Sequence, residues 1–197
     1  MRTHATAVRW AAAAAIAAAA AAAPSATTVV PPTFTELVAR ARTVFVGETI
    51  DVESRWVSVG DDRVIVTRVT FKVERTLKGE LGGQTVLDFL GGTVGEDRLV
   101  VAGMPKFRLG DEDVLFVDES NRPMSPVVGL MHGRFRVLED PGTGRRSVAR
   151  FNFEPLASVG DIGAAAAVER VTSARALSLT AFEQAIEREA GRQRAAK

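Results

Sequence analysis

The spacing of apolar residues first predicts a short helix near residue 33. The residues that share its apolar face are Phe34, Leu37, Val38 and Ala41. Intervals of three and four place such residues on one side of a helix. Thr33 and Glu36 match a capping box, in which each side chain bonds the other residue's backbone amide. The pattern therefore predicts a helix that begins after Pro32 and ends near Arg42.

From Thr43 the apolar spacing changes to every second residue, which is typical of strands. The apolar positions of the first predicted strand are Val44, Val46, Ile50 and Val52, and those of the second are Ile65, Val69, Phe71 and Val73. Turn residues 59–62 separate the two strands, so they form a long antiparallel hairpin. Gly47 predicts a bend or bulge in the first strand.

The rest of the chain predicts further short strands and then helices. The strands cover residues 85–90, 99–102, 114–117, 134–138 and 147–153, and residues 91–97 form a glycine-rich, acidic loop. A helix over 164–171 has Asp161 as its candidate cap. A terminal helix begins at a second capping-box match, Thr180 to Glu183, and ends near Gly191.

Short alternating strands between terminal helices predict a mainly β fold. We expect a small antiparallel, OB-like β-barrel, closed or nearly closed, with an N-terminal helix and C-terminal helices. A two-sheet sandwich is the alternative. The predicted organisation is an extended leader over 27–32, a barrel domain over 33–155, a helical segment over 156–191 and a polar tail over 192–197.

Residues 1–26 have the three parts of a secretory signal peptide. Arg2 and Arg9 supply the positive start, Ala11 to Ala23 form an apolar stretch, and small residues follow Pro24. The stretch is too short to cross a membrane, which takes roughly 20 apolar residues. We therefore expect export to the periplasm or the exterior of a bacterium, without stable membrane insertion after cleavage.

Composition removes several kinds of chemistry. The chain has no Cys and 2 His, of which only His132 lies beyond the predicted signal, so we expect no metal site and no cofactor. The chain has 25 basic and 24 acidic residues, and removal of residues 1–26 takes away two arginines and leaves a net charge of −1. That balance is not typical of a nucleic-acid-binding protein.

Five phrases of the sequence occur in an order that resembles a known group. They are FTELVARA (34–41), VFVGE (44–48), VTRVTFKVERTLKG (66–79), GMPKFRLGDEDVLFV (103–117) and GLMHGRFRV (129–137). The order resembles uncharacterised exported bacterial proteins with an OB-like barrel, a group similar in fold to tissue inhibitors of metalloproteinases and netrin modules. The resemblance implies a five-stranded barrel and an interaction with an exported protease or other envelope protein. The N-terminal Cys and the disulfides of the metalloproteinase inhibitors have no counterpart here.

The candidate partner-binding residues are an arginine group and one tryptophan. Arg134, Arg136, Arg145 and Arg146 lie on the last predicted hairpin with Arg150, and they could form a cationic stripe for an acidic partner. A solvated, charge-balanced face is the alternative for this group. Trp56 lies near the end of the first strand, where it is either an exposed binding residue or part of the core.

Three weaker patterns carry candidate chemistry. His132 would be the base of a hydrolase, with Ser125 or Ser147 as the nucleophile. The run Asp111 to Asp113 offers carboxylates to calcium, but successive strand residues alternate faces, so a solvated turn is favoured. Residues 91–95 look like a phosphate loop, but Glu96 and Asp97 would repel an anion.

Together these observations favour an exported, non-enzymatic binding module whose partner is a protein or an envelope component. A hydrolase that uses His132 is the first alternative. A surface-assembly or scaffold protein that pairs through an open strand edge is the second.

Overall fold

The structure, a computed structural model, describes residues 31–118, 125–164, 171–172 and 175–196. The predicted signal peptide, most of the leader and most of the predicted helix at 164–171 lie outside these residues. The described chain from Pro31 onward forms one compact unit.

The described chain is mainly β, as predicted, with two α-helices. The strands are β1 (Thr43–Val59), β2 (Asp62–Lys78), β3 (Gln84–Leu90), β4 (Gly92–Val94), β5 (Asp97–Leu99), β6 (Glu112–Val117), β7 (Arg134–Glu139) and β8 (Arg146–Arg150). The helices are α1 (Phe34–Arg40) and α2 (Leu179–Ala195), with a short 3-10 helix at Val159–Asp161.

Six strands form one antiparallel sheet in the order β3-β2-β1-β6-β7-β8. In the described part of the chain β3 and β8 do not pair, so the sheet is open and the predicted closed barrel is not confirmed. Helical and irregular segments cover its faces and one of its edges, which is another way for a sheet to protect unpaired strands. The strands β4 and β5 form a separate two-stranded hairpin.

The long first hairpin and its predicted irregularity are confirmed. β1 and β2 pair from Val44 opposite Lys78 to Val59 opposite Asp62, with register shifts at Val46/Gly47 and Thr49/Asp51. A Cβ at Gly47 would lie 2.9 Å from the ring of Phe45 and 3.0 Å from the Lys72 carbonyl oxygen. A larger residue would therefore clash at the register shift beside Gly47.

Both faces of the sheet bury apolar residues. On one face the helices pack against the strands, and this core includes Leu37, Val44, Phe116, Phe135 and Phe182. On the other face lies a second core that includes Phe45, Phe71, Phe89, Phe107 and Leu115. The alternation of side chains along β1 and β6 supplies both cores, because neighbouring residues point to opposite faces.

The helix ends follow the capping rules, with one correction. Thr33 caps α1 with the predicted reciprocal bonds to Glu36. The N-cap of α2 is Ser178, whose hydroxyl accepts from the amide of Ala181, so the prediction of a capping box at Thr180 is wrong. α2 also continues through Gly191 to Ala195, because one glycine weakens a helix without ending it.

We expect Ser178→Ala to lower the free energy of unfolding by about 1 kcal/mol. The substitution removes the acceptor for the Ala181 amide and changes little else. Urea denaturation followed by circular dichroism measures the effect. Ser58→Ala on an exposed part of β1 is the control, and equal stability loss in both variants would contradict the assignment of this cap.

Two unpaired strand edges, that of β8 and that of the distal half of β1, differ in how they are covered. Beside β8, the amide of Val148 donates to the carbonyl of Leu177, and the amide of Arg150 donates to that of Glu154. β1 pairs with β6 only as far as Glu48, so within the described chain β2 is the single strand that pairs with its distal half. Charged residues such as Asp51 and Glu53 on that half discourage pairing with another strand. The scaffold alternative stays a hypothesis.

Candidate binding site

A well-formed cavity lies between the sheet and the β4–β5 hairpin, and we name it the hairpin cavity. Its volume is about 340 Å³. Its walls come from β1, β2 and β3, from the hairpin, and from the segment that follows it. The lining residues are Val52, Ser54, Thr67, Val69, Phe89, Leu90, Gly91, Gly92, Thr93, Arg98, Leu99, Val100, Val101, Met104, Pro105, Lys106 and Phe107.

The strands form the floor of the hairpin cavity through their register. Ser54 of β1 lies opposite Thr67 of β2, and Thr67 lies opposite Phe89 of β3. Opposed residues in an antiparallel pair point to the same face of the sheet. Two residues nearer the centre of the sheet and on the same face, the opposed residues Val52 and Val69 supply an apolar surface.

Two hydroxyl groups give the floor a defined polarity. Thr67 Oγ1 donates to the carbonyl oxygen of Gly91 at 2.7 Å, which uses its only hydrogen. Ser54 Oγ lies 3.0 Å from Thr67 Oγ1 and is therefore the donor of that bond. The lone pairs of Ser54 Oγ remain, so the pair presents an acceptor to the cavity and favours a ligand with a donor.

The hairpin lies close to the floor because of a glycine. Gly92 has a φ of 141°, and a Cβ there would lie 2.4 Å from Ser54 Oγ and 2.5 Å from Thr67 Oγ1. Any side chain at this position would push the hairpin away from the hydroxyl pair. The prediction of a loop at 91–97 is wrong, because these residues contain β4 and a turn that leads into β5.

Two basic residues, Arg98 and Lys106, also line the hairpin cavity. Within the described chain neither side chain is in an ion pair, whereas most arginines on the sheet are paired. The remaining lining is largely apolar, which is typical of small-ligand sites.

A buried ionic group lies behind the cavity wall, and we name it the arginine cluster: Asp111, Asp113, Arg134 and Arg136. Arg134 Nε and Nη2 donate to the two oxygens of Asp113 at 2.9 and 2.8 Å. Arg136 Nη1 and Nη2 donate to the two oxygens of Asp111 at 2.8 and 2.6 Å. The side chains of Asp113 and Arg134 are 0% and 4% exposed.

The two carboxylates of the arginine cluster respond oppositely to their surroundings. Burial raises the pKa of Asp113, and the paired guanidinium of Arg134 acts against that shift. Partial burial also acts to raise the pKa of Asp111. The hydrogen bonds from Arg136 and from the Arg108 amide, with the nearby positive charges, outweigh that burial, so the pKa of Asp111 is lowered.

The arginine cluster positions the wall of the hairpin cavity. Arg134 also donates to the carbonyl oxygen of Lys106, and its guanidinium lies 4.0 Å from the ring centre of Phe107. Phe107 packs in turn against Phe71 and Phe89, with ring centres 5.2 and 4.8 Å apart. A buried guanidinium thus fixes the segment that closes one side of the cavity.

The predicted cationic stripe is largely neutralised. Arg134 and Arg136 belong to the arginine cluster, and Arg134 is buried, so it presents no charge at the surface. Arg146 pairs with Glu74 at 3.0 Å and with Glu112. Arg145 is exposed at the turn after β7 and donates to the carbonyl of Ala176. The sequence places these arginines on one hairpin but does not show which carboxylates the fold brings to them.

Trp56 lies on the same face of β1 as Ser54, two residues further from the sheet centre. It is 37% exposed and lies opposite Ile65, with the guanidinium of Arg63 5.0 Å from its ring. It does not line the hairpin cavity. Its partial exposure is compatible with both roles considered from the sequence.

His132 has no nucleophile beside it. Ser125 Oγ accepts from the amide of Val127, and Ser147 Oγ donates to the carbonyl of Leu138. Neither hydroxyl bonds the imidazole within the described residues. Partial burial, with the charge of Arg150, lowers the pKa of His132, and its ring meets Phe151 edge-on. The observed contacts are those of a packed histidine.

The remaining patterns form no ion site in the part of the chain that the structure describes. There, no group of three or more His, Cys, Asp or Glu side chains is placed to share a metal ion. Asp111 and Asp113 form ion pairs with Arg136 and Arg134. Residues 91–95 form the β4 side of the hairpin. None of the described helices combines the length and the apolar character needed to cross a membrane.

Comparisons with known protein families, with curated proteins and with solved structures each gave no match. The functional proposal therefore rests on the fold, the hairpin cavity and the arginine cluster.

Proposed function

We propose that this chain is an exported, non-enzymatic binding module that holds an apolar group of its partner in the hairpin cavity. The partner is a protein or an envelope component. The observation that carries the proposal is the cavity itself, with its apolar walls, its acceptor on the floor and two cations that form no ion pair with a described residue.

The size of the hairpin cavity limits what it holds. Its volume of about 340 Å³ is near the lower end of the range for small-ligand sites, about 300–1,000 Å³. That space suits a short acyl group or one or two apolar side chains. The ligand would gain most from a hydrogen-bond donor near Ser54.

The sequence supports the export part of the proposal through the signal-like residues 1–26. The resemblance to exported proteins with an OB-like barrel rests on the order of its five phrases. The long β1–β2 hairpin, whose second strand ends at Lys78 near the end of the phrase 66–79, and the capped helix before it are compatible with that relationship. Ligand contact with a sheet face is one mode that OB folds use.

Filling the hairpin cavity tests the proposal. We expect Ser54→Phe to weaken the binding of N-phenyl-1-naphthylamine at least tenfold, because the new ring takes up the space above the floor. This probe is neutral and apolar, and it carries one N–H donor. Its fluorescence increases in an apolar environment, so a titration gives the dissociation constant.

Ser58→Phe is the matched control for this experiment. Ser58 lies on the same strand and the same face as Ser54, is exposed, and does not line the cavity. We expect it to bind the probe as the unchanged protein does. Absence of probe binding, or equal binding by both variants, would overturn the proposal.

A further inference from the structure

A second cavity lies on the other side of residues 104–106, and we name it the Phe153 cavity. Its volume is about 260 Å³. Residues 104–106 line both cavities, but Arg108 lines only the Phe153 cavity and Arg98 only the hairpin cavity. The two sites can therefore be tested separately.

The charge of the Phe153 cavity is positive. Four basic residues, Lys106, Arg108, Arg134 and Arg136, line it beside one acidic residue, Asp111. The arginine cluster balances two of these cations with Asp111 and Asp113. The side chains of Lys106 and Arg108 have no hydrogen bond or ion pair with any described residue. A net positive charge of about two remains, which favours an anion.

One donor of the arginine cluster also lacks an acceptor. Arg136 Nε is buried and forms no hydrogen bond within the described chain, although Asp113 Oδ1 lies 3.5 Å away. That nitrogen atom is inaccessible to solvent, so Arg136 acts in this cavity through its charge and through its contact with Phe153.

The aromatic wall of this cavity is unusual. Phe153 has a φ of 67°, in the left-handed region that bulky residues avoid, and its ring is 54% exposed. The guanidinium of Arg136 lies 4.7 Å from the ring centre. Strained backbone with an exposed aromatic side chain is typical of sites that contact ligands. Phe151 adds a second aromatic ring to the lining.

We propose that the Phe153 cavity binds a small carboxylate with a flat, aromatic body. The carboxylate lies between Lys106 and Arg108, where the planar guanidinium of Arg108 matches its two oxygens. The ring packs on Phe153. This site is distinct from the hairpin cavity and does not depend on the proposed function.

Calorimetric titration with 2-naphthoate tests the proposal. We expect the purified protein to bind 2-naphthoate at least tenfold more tightly than the neutral 2-naphthalenemethanol, since only the carboxylate can bond the cations. Affinity for 2-naphthoate should fall as sodium chloride rises, because salt screens the attraction. Equal affinity for the two compounds, or no binding of 2-naphthoate, would overturn the proposal.

Two matched variants locate the bound carboxylate. We expect Arg108→Met to weaken 2-naphthoate binding about tenfold, the loss of one charged hydrogen bond. Arg98→Met removes the same group from the hairpin cavity and should leave binding unchanged. Circular dichroism checks that both variants are folded.

The cavity-filling variant separates the two proposals. Ser54→Phe blocks the hairpin cavity and should still bind 2-naphthoate with unchanged affinity. Loss of binding in Ser54→Phe, or retention in Arg108→Met, would place the anion elsewhere and refute the assignment of this site.

Discussion

Replacement of Asp113 by Asn is expected to lower the free energy of unfolding by about 3–5 kcal/mol. The side chain of Asp113 is 0% exposed and accepts two hydrogen bonds from Arg134. An amide of the same shape keeps one acceptor but removes the negative charge. Arg134 then stays buried with only Asp111 as a charged partner. Urea denaturation followed by circular dichroism measures the loss.

The matched control is Asp88→Asn, which breaks a similar pair at the surface. Asp88 accepts from Arg68 Nε and Nη2 at 2.8 and 2.9 Å, but both side chains are more than a third exposed. Exposed pairs contribute about 0–1 kcal/mol because water and salt screen them. Similar losses in both variants would show that burial of Arg134 is not the source of the effect.

The Asp113→Asn substitution also has a consequence for the hairpin cavity. Asp113 holds Arg134, and Arg134 holds Phe107 and the Lys106 carbonyl. If Asp113→Asn destabilises only the sheet, the folded variant binds N-phenyl-1-naphthylamine as the unchanged protein does. If the substitution also displaces Phe107 and the Lys106 carbonyl, the variant binds the probe more weakly. The arginine cluster therefore connects the fold of β6 and β7 to both cavities.

Local sequence signals predicted the elements whose stability is mostly local. The capping box at Thr33, the long hairpin and the irregularity at Gly47 follow from residues close together in the chain. The prediction of a Thr180 capping box failed because Ser178, two residues earlier, is the N-cap of α2. The segment offers two possible N-caps, Ser178 and Thr180. The choice between them depends on how α2 packs against the sheet, which local sequence does not encode.

The candidate site could not be predicted in the same way. Ser54 and Thr67 are 13 residues apart, and their contact depends on the register of β1 and β2 after the shift at Thr49/Asp51. The pair Gly91-Gly92 was a usable signal, because adjacent glycines next to a strand often mark a close approach of two backbones. The charge balance of Arg134 and Arg136 depends on β6 lying beside β7, a pairing that alternation alone leaves open.

The open sheet has a related explanation. Alternating strands predict an antiparallel sheet, but closure depends on whether the edge strands meet. Here segments after β8 bond its edge, through Leu177 and Glu154, and α2 covers one face. Within the described chain these segments take the place that a closing strand would have in a barrel.

Replacement of Phe182 by Ala is expected to lower the free energy of unfolding by about 3–5 kcal/mol, since it leaves a cavity where α2 meets the sheet. Phe182 is 0% exposed, and its ring centre lies 5.1 Å from that of Phe135 and 6.2 Å from that of Phe116. If the variant does not fold, Phe182→Leu gives a smaller, measurable loss of the same origin.

Phe153→Ala is the control for Phe182→Ala, because it removes the same side chain from a position that is 54% exposed. Its expected loss is below about 1 kcal/mol, the contribution of an exposed cation–π contact to Arg136. The two phenylalanines thus separate two roles: Phe182 stabilises the fold, whereas Phe153 has the ligand contact that we propose for the second cavity. A Phe153→Ala protein as unstable as Phe182→Ala would make Phe153 a structural residue and remove its exposed ring as support for the second site.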